Sequence, residues 1–223
     1  EKNPDNQLRA KVTAQLLFCE AMRRQVFNGT QTPFVFGEPA EWIASLIEAN
    51  KQVCEGNATA ADALREQAFE SAPAVSGALN GEAFEWIADA DMRFGPIIEA
   101  FIEGRYYWIP IDRIHFLKMD EPEDLRDAVW MPGTFVWTNG GQSAGYVPTR
   151  YPGSETHEDR LIQMAKRTDW QELAPDYFAG VGQRVLATDA GEYALMDLRE
   201  LTLDTEVSEA PQADGGANEA ITG

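Results

Sequence analysis

Apolar residues in the first third of the chain recur at the spacing of a helix. One stripe is formed by Leu8, Val12, Leu16, Cys19 and Val26. The apolar residues between positions 17 and 22 widen this stripe, so the predicted helix is apolar on more than one face, and Gly29 predicts its end. Two further helices are predicted on either side of Gly56, because Pro39 can begin a helix and Pro73 can end one.

The second and third helices resemble a tetratricopeptide helical hairpin. Gly56 lies in the turn and Pro73 closes the pair. Ala61 and Ala68 supply small packing residues, and all four fall at the offsets of that repeat. The first helix of the pair fits less well, since Ser45 stands where a bulky residue is usual. One repeat cannot bury its own faces, so we expect the helices to pack on the rest of the chain or on preceding repeats.

From about Phe84 onward, the pattern changes to short runs rich in β-branched and aromatic residues. These runs predict three hairpins, at 97–111, 134–147 and 185–203. Two short helices are predicted between them, at about 120–130 and 155–166.

The predicted fold class is α+β, with an N-terminal tetratricopeptide-like helical module followed by a sheet-rich domain with short helices. The helical module is predicted at 1–76 and the sheet-rich domain at 77–204. Residues 205–223 lack periodicity and aromatic side chains, which predicts a disordered acidic tail.

The charge balance narrows the choice of partners. Thirty-seven Asp and Glu residues face eighteen Lys and Arg residues, so the formal net charge is −19. A chain this acidic repels phosphate backbones and anionic lipid surfaces, so we predict neither nucleic acid nor a membrane as a partner. A basic protein segment fits the charge better.

The two cysteines and the hydropathy of the chain indicate the cellular compartment. Cys19 and Cys54 lie in helical patterns rather than in a disulfide-rich framework, which is typical of a reducing environment. No stretch approaches the ~18 consecutive apolar residues of a membrane span, and the first residues do not resemble a signal peptide. We therefore predict a cytoplasmic protein.

Residues 141–145, GQSAG, match the G-x-S-x-G nucleophile elbow of α/β-hydrolases. That motif acts on a strand–turn–helix, which lifts the serine above a parallel sheet. Here Ser143 follows a glycine-rich hairpin turn and leads into a strand closed by Pro148. His157, the histidine that follows it, lies too close in sequence. The pattern therefore predicts a hairpin loop, and we predict that the protein is not an enzyme.

Several acidic residues offer an alternative to the prediction that the protein is not an enzyme. Asp89 and Asp91 alternate as on a strand, so their carboxylates could share one face. With Glu99 or Asp112 they could hold a magnesium ion or form an acid/base pair. In a chain with thirty-seven acids, ties to Arg93 or Arg105 explain such neighbours as well. We predict no metal and no cofactor, and we keep a carboxylate- or metal-dependent enzyme as the alternative.

Six short stretches carry a resemblance to a known family. They are 32–39 (TPFVFGEP), 84–91 (FEWIADAD), 104–110 (GRYYWIP), 122–127 (PEDLRD), 149–155 (TRYPGSE) and 191–193 (GEY). In this order they resemble the ImpE family, also called TagJ or SciE, over about residues 19–201. Each stretch alone is a weak signal, whereas six in the family's order are specific.

The resemblance implies an accessory protein of the bacterial type VI secretion system, and no catalytic activity is implied by it. It also implies a tetratricopeptide-like module joined to a family-specific C-terminal domain. The implied partner is the N-terminal helix of the small contractile-sheath subunit. The implied role is to act alongside the ClpV unfoldase, which recycles the sheath. A self-associating structural scaffold is a further alternative.

An amphipathic helix binds a protein by laying its apolar face in a groove. The candidate peptide-binding residues lie in the helical part of the chain and are Phe18, Met22, Phe34, Phe36 and Trp42. An acidic rim would speed the capture of a basic helix. The alternative for each of the five residues is a place in the core.

Overall fold

Three helices open the chain, as the apolar spacing predicts. The computed structural model describes residues 4–207, in which these helices are α1 (Pro4–Phe27), α2 (Glu41–Cys54) and α3 (Ala58–Ser71). Gly29 follows α1 and Gly56 follows α2, at φ values of 75° and 79°. Glycine adopts this left-handed backbone without strain, so these two helix ends follow the sequence signals.

The described residues also contain a short fourth α-helix and fourteen strands. The helix is α4 (Arg160–Gln163). The strands are β1 (Phe34–Val35), β2 (Gly77–Leu79), β3 (Glu82–Phe84), β4 (Ile87–Asp89), β5 (Ile97–Ile102), β6 (Arg105–Pro110), β7 (Ile114–Met119), β8 (Trp130–Trp137), β9 (Gln142–Pro148), β10 (Thr168–Ala174), β11 (Tyr177–Gly182), β12 (Val185–Thr188), β13 (Glu192–Ala194) and β14 (Glu200–Leu203). In this part of the chain, no helix is both long enough and apolar enough to cross a bilayer.

The strands form three sheets within residues 4–207. The largest has the order β1-β6-β5-β9-β8-β7-β14-β2-β3, and the others are β13-β12-β4 and β10-β11. β1 pairs in parallel with β6, whereas the other neighbours in the large sheet are antiparallel. The hairpins predicted at 97–111 and 134–147 are confirmed as β5–β6 and β8–β9.

The large sheet is buried on both of its faces along β5. Successive side chains of a strand point to opposite faces. Ile98, Ala100 and Ile102 belong to a first core cluster formed with the later strands, whereas Ile97 and Phe101 belong to a second cluster. The second cluster includes apolar residues of all three long helices, namely Leu16, Cys19, Val26, Trp42, Ile43, Leu46 and Ala68. The helices therefore cover one face of the sheet.

The predicted N-terminal tetratricopeptide-like helical module is wrong. α2 and α3 pack against each other, but β1, a strand of the large sheet, separates α1 from them in the chain. Repeat arrays bury their faces between like neighbours. Here the helices bury theirs in the cluster that they share with Phe94 and Trp108. The α+β class holds, with a short helical part and a large mixed sheet.

Both predicted short helices differ from the structure. Residues 124–129 form turns, because Trp130 begins β8 and pairs there with Pro148. The helix predicted at 155–166 is reduced to α4, whose first turn is capped by the carboxylate of Asp159.

The predicted hairpin at 185–203 divides between two sheets. β12 pairs with β13, whereas β14 enters the large sheet between β7 and β2. The boundary between predicted domains at residues 76 and 77 stays a prediction. The predicted tail at 205–223 lies, from residue 208 onward, outside the described residues.

Candidate functional site

The candidate carboxylates Asp89, Asp91 and Glu99 lie inside the protein. Asp89 ends β4, Glu99 is in the middle of β5, and Asp91 lies in the loop between these strands. All three are buried. The strand pattern explains the position of Glu99, because it alternates with Ile98 and points to the face that the helices cover.

Two arginines from distant parts of the chain bind Glu99. Arg23 of α1 donates from Nε and Nη2 to the two carboxylate oxygens, each at 2.7 Å. Arg184, which precedes β12, donates from Nη1 to Oε2, also at 2.7 Å. The hydroxyl of Tyr106 donates to Oε1. Both oxygens of this carboxylate are therefore held by side chains of the same chain.

Asp89 shares Arg184 with Glu99. The Oδ2 atom of Asp89 accepts hydrogen bonds from Nε of Arg184, at 2.9 Å, and from Nη2. Its Oδ1 atom accepts from the hydroxyl of Tyr151 at 2.9 Å. We call Arg23, Asp89, Glu99 and Arg184 the buried ion-pair network. Because its members come from α1, β4, β5 and the start of β12, the network connects the helices to two sheets.

Asp91 is paired outside this network. Arg93 donates to its carboxylate from Nε at 3.0 Å and from Nη2 at 2.5 Å, and the N–H of Gly180 donates at 2.8 Å. The predicted tie to Arg93 is confirmed. Arg105 instead lies 5.9 Å from the ring centre of Phe34. The Asp91 carboxylate therefore attaches its loop to β11.

Burial and charge compete at the network carboxylates. For Asp89, burial outweighs the attraction of Arg184 and raises the pKa to about 6. For Glu99, burial acts in the same direction, but Arg23 and Arg184 outweigh it and lower the pKa. Burial raises the pKa of Tyr106 well above its usual value, and the charge of Glu99 adds to that effect. Glu99 is therefore the stably charged acid of the network.

This arrangement suits a structural role better than acid–base or metal chemistry. A catalytic carboxylate needs an open position where a reacting molecule can lie. The oxygens of Asp89 and Glu99 are instead buried and bound to side chains of this chain. Within the described residues, no group of three or more His, Cys, Asp or Glu side chains is placed to hold a metal ion. The geometry therefore does not favour the carboxylate-dependent alternative.

The sequence held a signal for one of the two network arginines. Arg23 lies on the apolar stripe of α1, between Cys19 and Val26, and a charge in such a position needs a buried partner. Arg184 has no comparable signal, because it stands between two strands. Its partners lie 85 and 95 residues away in the chain. Sequence reasoning therefore missed it.

The serine of the GQSAG stretch lies in the predicted hairpin, but in one of its strands rather than in its loop. Ser143 is in β9, opposite Phe135 of β8, and no helix follows it directly. Its Oγ accepts a hydrogen bond from the indole N–H of Trp137 at 3.1 Å. The serine therefore supports a neighbouring tryptophan.

We expect Ser143→Ala to lower the free energy of unfolding by about 1 kcal/mol, because one hydrogen bond to Trp137 is lost. Urea denaturation of the two proteins measures this difference. A fluorophosphonate probe, which reacts with activated serines, should leave the wild-type protein unlabelled in mass spectrometry. Stoichiometric labelling that disappears in the variant would contradict the hairpin assignment.

The side of α1 that points away from the sheet is also apolar. Exposed at helical spacing on that side are Ala10, Ala14, Leu17, Phe18 and Ala21. Leu17 is 58% exposed and Phe18 is 62% exposed. We call these five residues the outer face of α1. The wide apolar stripe that the sequence shows therefore consists of two faces of α1, one buried in the core and one exposed to solvent.

The five predicted peptide-binding residues occupy different environments. Phe18 and Phe34 are exposed, the latter to 47%. Met22 packs in part against the second core cluster, and Phe36 packs against the first. Trp42 is 6% exposed within the second cluster. Two of the five therefore offer substantial surface, and their role in binding a peptide stays a prediction.

Comparison with known proteins gives a matching family, a relative and a solved structure. The family model described as ImpE protein matches residues 81–202. The type VI secretion system accessory component TagJ of Pseudomonas aeruginosa is 47% identical over 186 residues, which cover 83% of this chain and 65% of TagJ. This chain thus spans just under two thirds of that relative's length. An X-ray crystal structure of a Vibrio parahaemolyticus protein matches with a TM-score of 0.83 and 25% identity, over 92% of this chain and 76% of that one.

Proposed function

This chain belongs to the ImpE family, and on that basis we propose that it serves the bacterial type VI secretion system as a cytoplasmic accessory adaptor. Its proposed partner is the N-terminal helix of the small contractile-sheath subunit. Its proposed role is to act alongside the ClpV unfoldase when the sheath is recycled. The relative TagJ is itself an accessory component of that system.

The outer face of α1 is the observation that carries this proposal. An amphipathic helix binds through apolar anchors three or four residues apart, and α1 presents Leu17 and Phe18 beside the small residues Ala14 and Ala21. Small residues let two helices approach closely, and large exposed ones supply buried area. A partner helix can therefore pack along α1, on the side opposite the sheet.

The charges on α1 indicate which contacts give the affinity. Its exposed charged side chains within residues 7–27 are Arg9, Lys11 and Arg24. Glu20 is buried and bound to Arg23 and Trp130. A basic peptide thus gains nothing from α1 itself, although the net charge of the whole chain attracts it. Exposed pairs are typically worth under ~1 kcal/mol, so apolar contacts should supply most of the binding energy.

The proposal requires no catalysis. Binding a helix needs an accessible apolar surface, which the outer face of α1 provides. The carboxylates that offered an alternative chemistry are bound to Arg23, Arg93 and Arg184. A non-enzymatic adaptor is therefore the function that the geometry supports best.

The test uses a fluorescent synthetic peptide of the N-terminal helix of the small sheath subunit encoded with this protein. We expect micromolar affinity, roughly −8 kcal/mol. Phe18→Ala should weaken binding by about 2 kcal/mol, or roughly 30-fold, because it removes the largest exposed anchor of α1. Fluorescence anisotropy measures both affinities.

Phe178→Ala is the matched control, since Phe178 is also an exposed phenylalanine but lies on β11. It should leave the affinity unchanged within about twofold. An equal loss in both variants would show that the effect is not specific to α1. Binding that survives Phe18→Ala and Leu17→Ala together would remove the outer face of α1 as the site.

A further inference from the structure

A second apolar surface lies where the end of α3 meets β4. It is a cleft of about 390 Å³ whose walls include Phe69, Pro73, Trp86 and Met92. Trp86 is 41% exposed although it is among the largest apolar side chains. Asp89 also borders the cleft, but its carboxylate is held in the buried ion-pair network. The surface open to a partner is therefore apolar.

β4, which borders this cleft, is an edge strand of the sheet β13-β12-β4. The N–H of Ala90 points toward β12 and donates to Val185 at 2.9 Å, whereas the N–H of Asp89 points away and donates to Gly95 at 2.7 Å. Residues two apart in a strand point the same way, so the N–H and C=O of Ile87 also point away from β12. Among the described residues, Ile87 has no backbone partner on that side, but it is only 4% exposed, so a segment lying along β4 gains its contacts from side chains rather than from backbone pairing.

The exposed charges around the cleft are negative. Glu70 and Glu85 each neighbour a lining residue in the sequence, and Asp189 accepts a hydrogen bond from the N–H of Glu85 at 2.7 Å. Arg93 follows the lining residue Met92 in the sequence, but its side chain points inward and binds Asp91. The rim therefore favours a positively charged ligand.

We propose that this cleft binds an extended segment of a partner protein in which a large apolar side chain is flanked by lysine or arginine. The apolar side chain enters the cleft beside Trp86, and the segment lies along the outer side of β4. The flanking cations lie near Glu70 and Glu85. Residues 208–223 of this chain carry three acids and no cation, so their charge does not fit the cleft.

This surface is separate from the one proposed for the sheath helix. The cleft is lined by the end of α3, β4 and the loop after it, and it shares no residue with the outer face of α1. One chain with two such surfaces can hold two partners at once. An adaptor needs that property, but the proposal does not depend on which helix binds α1.

The probe is a fluorescein-labelled peptide, Lys-Val-Leu-Val-Lys, titrated with the whole protein and followed by anisotropy. We expect saturable binding. The acidic peptide Glu-Val-Leu-Val-Glu should bind at least ~10-fold more weakly, because the rim repels it. Trp86→Ala should weaken the basic peptide about 10-fold, and Glu85→Lys should reduce the preference for the basic peptide.

Trp170→Ala is the control, because Trp170 is 40% exposed and lies on β10, away from the cleft lining. It should change the affinity by less than about twofold. The proposal is overturned if neither peptide binds, if both bind equally, or if Trp86→Ala and Trp170→Ala have the same effect. Melting curves verify that both variants fold. Loss of sheath-helix binding in Trp86→Ala would show a single shared surface and also overturn it.

Discussion

Glu99→Gln is expected to lower the free energy of unfolding by about 3–5 kcal/mol, because it removes the charge that two buried arginines share. Arg23 and Arg184 are each 1% exposed and each donates to Glu99 at 2.7 Å. Glutamine keeps the shape of the side chain but leaves the positive charges insufficiently compensated. Urea denaturation of wild type and variant measures the loss.

Glu66→Gln is the control for this substitution, since Glu66 is an exposed acid on α3. It should change the unfolding free energy by less than about 0.5 kcal/mol. The double variant Arg23→Met/Glu99→Gln should lose less than the sum of the two single variants, because it removes one uncompensated cation together with the acid. Additive losses would mean that Arg23 and Glu99 do not depend on each other.

Trp42→Ala is expected to lower the free energy of unfolding by about 3–5 kcal/mol. Trp42 packs in the core cluster between the helices and the sheet, so its removal leaves a large cavity. Phe34→Ala serves as the comparison, because nearly half of that side chain is exposed, and it should cost about 1 kcal/mol or less. Thermal melting and sheath-peptide affinity, measured on the same samples, separate a core residue from a binding residue. A Trp42→Ala protein with normal stability and weakened peptide binding would contradict the core assignment.

The sequence predicted most elements that short-range signals define. Helix ends at Gly29 and Gly56 and the two hairpins around β5 and β8 follow from glycine positions and from β-branched or aromatic runs. The tetratricopeptide offsets identified the α2–α3 pair, but offsets within a pair say nothing about what covers its outer faces. Here a sheet covers them, and β1, a strand of two residues, is too short to produce a periodic signal.

The candidate site was harder to predict because its contacts join distant parts of the chain. Asp89 and Asp91 stood out by their alternation and Glu99 was grouped with them, but the arginines that neutralise Asp89 and Glu99 do not lie near these acids in sequence. Glu99 meets Arg23 across 76 residues and Arg184 across 85. Without these pairings, a group of acids on one strand face fits a metal site as well as a structural one. The exposed apolar side of α1 was visible as excess stripe width, but the sequence alone could not separate the exposed face from the buried one.

The buried ion-pair network has a consequence for the order in which the protein is made. A ribosome synthesises Arg23, Asp89 and Glu99 well before Arg184, so until then Asp89 has no arginine in the network and Glu99 has one. The contacts that complete the network therefore span 85 and 95 residues of the chain, and contacts so far apart in sequence form slowly in folding. A nascent or truncated chain that ends before residue 184 cannot bury the carboxylate of Asp89 together with its cation, so we expect it to fold less completely. Quality-control proteases degrade unfolded chains, so such products should be removed in the cell while the finished chain is retained.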